Sequence, residues 1–176
     1  IGRLSEEKGI LTLLAAMRNH RTLGLKIMGT GPLARAIEQY IQTHKLEQVE
    51  LLGYITGEEK YTVLREALGC VVPSICYENF PMAVLESAVV GTPVIVSNLG
   101  SLGSLLHNNP IGWTFEAGND ADLAARLKEL IDDPMQAQQL GQNAAIWVRQ
   151  EHTDEVHYQK LMKIYQEVID ENRVCH

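Results

Sequence analysis

"CVVPSICYENFPMAVLESAVVGTPVIVS", residues 70–97, sets two apolar runs, Cys70–Val72 and Val94–Val96, on either side of a helical stretch from Pro81 to Val90. Strand, crossover helix and strand in that order predict two parallel neighbours in one sheet. The helix is almost wholly apolar, yet Glu86 sits in its middle. A carboxylate taken out of water without a partner costs several kcal/mol by rough estimate. Val84, Leu85, Ala88 and Val89 leave few exposed directions, so Glu86 needs a cation, a route to solvent, or a ligand.

The same alternation runs outward in both directions. Leu25–Met28, Val49–Leu52 and Trp113–Phe115 are strand-like, while Gly9–Asn19, Leu33–His44, Glu58–Ala67, Asp120–Asp132 and Met135–His152 carry helical patterns, with Pro134 breaking between the last two. This is the pattern of an α/β fold with a parallel sheet. Ile1 to Ser5 read as the last residue of a strand and its exit loop, so most of a first strand is expected to be missing. With no initiator Met, the chain reads as a piece of something longer. Val156–Val174 spaces Val156, Leu161, Ile164, Tyr165, Val168 and Ile169 along one helical stripe that wants a partner surface.

Composition limits the function. The 176 residues are 45% hydrophobic and 21% charged, which fits one globular domain with a core. Lys and Arg number 15 against 22 Asp and Glu, a net charge of −7 that excludes a basic nucleic-acid or anionic-membrane surface. Any phosphate bound here must be held by a few placed cations. Cys70, Cys76 and Cys175 form an odd, uneven set, which reads as reduced thiols in a cytosolic setting. The six histidines show no metal-ligand spacing, and Trp113 and Trp147 read as packing residues.

Each loop after a strand carries something unusual: Gly2 to Gly9, Gly29 to Pro32, Gly53 to Ile55, Pro73 to Pro81, and Ser97 to Ser101. In an open parallel sheet these loops share the rim at the strands' carboxyl ends, where ligands bind. Pro81 at a helix start leaves amides around Asn79, Phe80 and Met82 toward that rim, a setting that suits phosphate. Arg3 and Lys8 end one short loop and offer two charges to a diphosphate. Glu78 and Glu86 flank the helix start and are better acceptors for sugar hydroxyls than company for phosphate. Taken singly, Gly29-Thr30-Gly31 is equally a plain turn, Arg3 or Lys8 a solvated charge, and Glu78 a helix-dipole partner.

Together the blocks are recognisable. Glu78-Asn-Phe-Pro-Met-Ala-Val-Leu-Glu86 is similar to the E-x7-E motif of glycosyltransferase family 4, retaining enzymes of the GT-B fold. "GRLSEEKGI", "IMGTGPL", "VELLGYI", "VVPSICYENFP", "ESAVVGTPVIVSNLGS" and "IGWTFEAGNDADLAARL" resemble that family's carboxyl-terminal domain in order and spacing over nearly all of the first 132 residues. The resemblance implies a Rossmann-like parallel sheet with helices on both faces, one half of a GT-B fold. Residues 1–152 would form the donor domain, its first strand truncated, and residues 153–176 a helix that packs on an absent amino-terminal domain.

The resemblance also implies roles. Arg3 and Lys8 would neutralise the donor diphosphate; with Glu78, which would touch hydroxyls of the transferred sugar, they form the catalytic set. Gly2, Gly29 and Gly31 would let backbone pass close to the nucleotide, and Ile55 would pack against its base. Asn79, Phe80, Pro81 and Met82 would present backbone to sugar and diphosphate, and Glu86 would hold the ribose hydroxyls. No metal and no cofactor are implied; the substrate would be a UDP- or GDP-linked sugar. The acceptor, a sugar or lipid-linked molecule, would come through the amino-terminal domain, so this chain alone is expected to be inactive. The resemblance implies cytoplasmic placement, with any peripheral contact at the inner membrane face made by the absent domain. His152-Thr153 and Ser101-Leu102-Gly103-Ser104 depart from the family's usual residues. A non-catalytic nucleotide-sugar binding module and an epimerase of related GT-B fold stay open. A dehydrogenase fits poorly, because no Gly-x-Gly-x-x-Gly follows a first strand.

Overall fold

The elements in chain order are α1 (Ile10–Met17), β1 (Leu25–Met28), α2 (Ala34–Thr43), β2 (Val49–Gly53), α3 (Gly57–Glu66), β3 (Cys70–Val72), α4 (Met82–Val89), β4 (Val94–Ser97), α5 (Ser101–Asn108), β5 (Gly112–Phe115), α6 (Asp120–Asp132), α7 (Pro134–Glu151) and α8 (Asp154–Val174). This computed structural model describes the backbone of residues 1–174 and the side chains of residues 1–170. Cys175 and His176 lie outside the described residues.

All strand pairs are parallel, and side chains alternate between the two faces as a strand's period of two requires. Within the fully buried β4, Val94 and Val96 pack with Val72, Val84 and Ala144 on the face covered by α3, α4 and α7. Ile95 packs with Leu13, Phe115 and Leu123 on the face covered by α1 and α6. Each such side chain withdrawn from water contributes about 1.5–3 kcal/mol. The layered fold therefore rests on strands apolar on both faces.

Two local readings change. Pro134 is the first residue of α7, where its missing amide costs nothing, and Asp133 caps that helix by accepting from the Gln136 amide at 2.9 Å. The helix α5 was not expected, since Ser101-Leu-Gly-Ser reads as loop. Burial of Leu102 and Leu106 holds it.

The sheet is not continuous. β1 pairs with β2, setting Ile27 opposite Leu51, while β3, β4 and β5 pair in that order, setting Val94 between Cys70 and Gly112. Among the described residues no ladder joins β1 to β3. An apolar cavity of about 360 Å³ lies between those two edges, lined by Leu25, Ile27, Cys70 and Val71 from the strands and by Leu13, Met17 and Leu127 from helices. Ile1 stands at this cavity too, and the Gly2 amide donates to the Met28 carbonyl at 3.0 Å.

From residue 157 to 170 every side chain of α8 is exposed, including Leu161, Ile164 and Tyr165. Its main packing partner is α7. Among the described residues, no helix is long and apolar enough to cross a membrane.

Candidate functional site

A second cavity, about 460 Å³, opens at the carboxyl ends of the strands. Three of the five rim loops contribute to its lining: the first through residues 1–4 and Lys8, the second through residues 54–56, and the third through Pro73, Ser74, Glu78, Phe80 and Pro81, followed by the start of α4. Gly2, Arg3, Lys8, Ile55, Glu78, Phe80, Pro81, Met82 and Glu86 all face this one cleft. Gly29, Gly31 and Asn79 do not line it.

The position of the two glycines has a separate cause. A Cβ on Gly29, which has φ +146°, would stand 1.8 Å from the Gly2 carbonyl oxygen, and one on Gly31 would stand 2.4 Å from the Leu4 carbonyl oxygen. The close approach that they permit is to the chain's own first residues. Leu4 in turn donates its amide to the Thr30 carbonyl at 2.9 Å. These contacts seat Arg3 at the rim.

Each motif carboxylate has a lysine. Lys8 donates to Glu78 Oε1 at 2.5 Å, and Ser74 Oγ donates to the same oxygen at 2.6 Å. Burial pushes the Glu78 carboxyl up, but the hydrogen bonds from Lys8 and Ser74 outweigh it and hold the group below the ordinary carboxylate value. Lys60, on α3, donates to Glu86 Oε1 at 2.7 Å, and the side chains are only 16% and 17% exposed. That bond raises the Lys60 ammonium above its ordinary value against the opposing effect of burial, so it is charged at neutral pH. Glu86 in the apolar helix is thus compensated by a cation. Arg3 makes no ion pair among the described residues. With both carboxylates matched, it leaves the cleft one net positive charge.

The loop before α4 is fastened from outside the cleft. Ser101 Oγ, at the start of α5, donates to the Glu78 carbonyl at 2.6 Å and the Asn79 carbonyl at 3.1 Å, and the Ile75 amide donates to the Glu7 carbonyl at 2.9 Å. Phe80 stacks on Trp147 with centroids 6.2 Å apart and meets the His152 ring at 5.4 Å. Trp147 and His152 meet edge-on at 4.5 Å. The loop before α4 therefore touches the joint between α7 and α8.

Burial, and then the charge of Lys160, pull the His152 imidazole below its ordinary value of 6.5, while Glu151 acts the other way. A group depressed in the folded state contributes stability that is present above the unfolded value and lost as pH falls through the folded one. Acidification from pH 7 to pH 5 should therefore cost more stability in the native protein than in His152→Phe, and since His152 keeps solvent access the difference should be small. Urea midpoints at both pH values test this; equal losses in the two proteins would dismiss the coupling.

Residues 1–147 match the family model described as glycosyl transferases group 1. The chain belongs to that family. Among group 1 transferases, glycogen synthase of Mycobacterium tuberculosis H37Rv is 34% identical over 143 residues, which cover 78% of this chain and 34% of the relative. Sucrose-phosphate synthase from Thermosynechococcus elongatus superposes with a TM-score of 0.84 at 28% identity, over 96% of this chain and 45% of that one. Anabaena HepE, solved in complex with UDP, superposes with a TM-score of 0.86 at 19% identity, over 94% and 48%. The fold is the Rossmann-like half of a GT-B glycosyltransferase. The chain spans between 34% and 48% of the length of the first curated relatives that it matches.

For this group 1 transferase the motif reading did not reach Lys60, Ser74 or Ser101. Only Lys60 left a signal: it lies four residues before Leu64, which is 2% exposed, and so shares the inward face of α3. Ser74 and Ser101 depend on contacts with a loop whose path the sequence does not give.

Proposed function

We propose that this chain is the donor-binding half of a retaining glycosyltransferase, which transfers a sugar from a nucleoside-diphosphate sugar to a glycan, lipid or polysaccharide acceptor. The observation that carries this reading is the cleft itself: two motif carboxylates, each matched by a lysine, beside one unmatched arginine and the first turn of α4. First-turn amides lack intrahelical partners and favour anions. Arg3 and those amides hold the diphosphate, Glu86 the ribose hydroxyls, and Glu78 hydroxyls of the transferred sugar. HepE, of like fold, was solved with UDP, which supports a nucleoside diphosphate here.

In that role the cations stabilise the leaving diphosphate as charge develops on it, and the diphosphate takes part in deprotonating the acceptor on the same face of the sugar. Lys8, bridging Glu78 and the phosphates, couples the sugar end of the cleft to its leaving group. The acceptor comes from an amino-terminal domain, onto which the exposed face of α8 packs. A further strand fits between the edges of β1 and β3, where the apolar cavity lies. Residence is cytoplasmic.

Calorimetry with UDP, GDP and the two nucleosides tests the reading. One diphosphate should bind at least about tenfold more tightly than its nucleoside, since a charge-assisted contact contributes roughly 1.5–3 kcal/mol. No sugar transfer to added acceptors should be seen, because half of the positioning surface is elsewhere. Equal affinity for nucleoside and diphosphate would defeat the reading. A non-catalytic binding module would bind in the same way, and donor turnover by the whole protein separates the two.

A further inference from the structure

The pairing of Lys60 with Glu86 goes beyond a neutralised charge. Thr56, the residue before α3, ends the cleft-lining loop 54–56, so the helix brings Lys60 into the cleft directly behind that loop. Its Nζ is 2.7 Å from Glu86 Oε1 and 4.9 Å from the centroid of the Tyr61 ring. An ammonium has three donors and a carboxylate about four acceptor positions, and this bond uses one of each. Both side chains line the cleft, so unused donors and acceptors stand side by side at its wall.

Opposite charges in contact select what binds between them. A phosphate drawn to Lys60 would be repelled by Glu86, and a second cation the reverse. A hydroxyl suits both, accepting from the ammonium and donating to the carboxylate. A vicinal diol suits the pair better still, with one hydroxyl bridging Lys60 and Glu86 and the other donating to the second carboxylate oxygen.

Resting on the donor-binding reading above, we propose that Lys60 is a specificity-determining residue that contacts the ribose 2′-hydroxyl together with Glu86, so that the pair distinguishes ribose from deoxyribose. Lys60→Met removes the donor and keeps the aliphatic stem. Lys60→Gln keeps an N–H donor on a shorter chain, and is the variant to read should Met impair folding.

The test is calorimetric affinity of the native protein and both variants for UDP, GDP and their 2′-deoxy counterparts, with melting temperatures recorded alongside. The native protein should prefer the ribonucleotide by about tenfold, as the loss of a charge-assisted hydrogen bond implies. Lys60→Met should lose about tenfold for the ribonucleotide and little for the deoxyribonucleotide, reducing the preference to near unity. Lys60→Gln should fall between. Equal losses for the two sugars, or an undiminished preference in either folded variant, would reduce Lys60 to a counter-ion and overturn the proposal. A native protein that binds ribo and deoxyribo forms equally overturns it too, leaving the donor-binding reading intact. Failure of every nucleotide to bind would instead overturn that reading, and this one with it.

Discussion

Arg3→Ala is expected to weaken binding of the nucleoside diphosphate roughly 10- to 100-fold while barely changing affinity for the nucleoside, the loss of one charge-assisted contact. Their shared loop makes Arg3 and Lys8 equivalent in the sequence, but the structure separates them. Lys8 is engaged with Glu78 at 2.5 Å, whereas Arg3 is exposed and without an ion pair among the described residues. A guanidinium also meets phosphate oxygens through two parallel donors. Arg3→Ala should therefore leave the melting temperature without ligand unchanged. Lys8→Ala should lower it, because Glu78 loses its cation, and should weaken diphosphate binding as well. Calorimetry and thermal melts of both variants decide the matter; equal losses of Arg3→Ala for nucleoside and diphosphate would mean that the loop is structural.

The second large effect separates the two glutamates. Glu86→Gln should weaken the nucleoside diphosphate and its sugar conjugate alike, about tenfold each, since both contain ribose. Glu78→Gln should penalise only the conjugate. The Lys8 bond sharpens this expectation: a neutral partner releases Lys8 toward the phosphates, so the diphosphate should bind Glu78→Gln as tightly as the native protein or more so. Gln keeps the shape of each side chain, and melts without ligand control for folding. The same pattern of losses in both variants would defeat the assignment. A collapse in stability of Glu86→Gln without ligand would reduce Glu86 to an anchor for α4 through Lys60.

The strands and most helices were legible because their signals are local. Val94 to Val96 could be little else than a buried strand, and Asp120 to Asp132 repeats apolar residues at helical spacing. The helix α5 was missed because Gly100, Gly103 and the two serines argue against a helix, and only burial of Leu102 and Leu106 overrides them. The motif brought nine of its twelve site residues to one cleft. Which lysine pairs with which carboxylate was not legible, since Lys8 lies 70 positions from Glu78 and Lys60 lies 26 from Glu86. Pairings at such separations follow from how helices stack on the sheet, which no local pattern encodes.

The walls of the cleft come from two groups of strands, β1 with β2 and β3 with β4 and β5. Tyr54 to Thr56 belong to the two-stranded block and Pro73 to Met82 to the three-stranded one. The first loop is laced to both: Gly2 and Leu4 bond to Met28 and Thr30 on one side, and Glu7 and Lys8 bond to Ile75 and Glu78 on the other. A small molecule held by both walls would then tie the two groups together a second time, beside the first loop. Stiffness beyond the cleft, measurable as slower amide exchange along β4 and β5, whose residues do not line it, becomes a readout of occupancy.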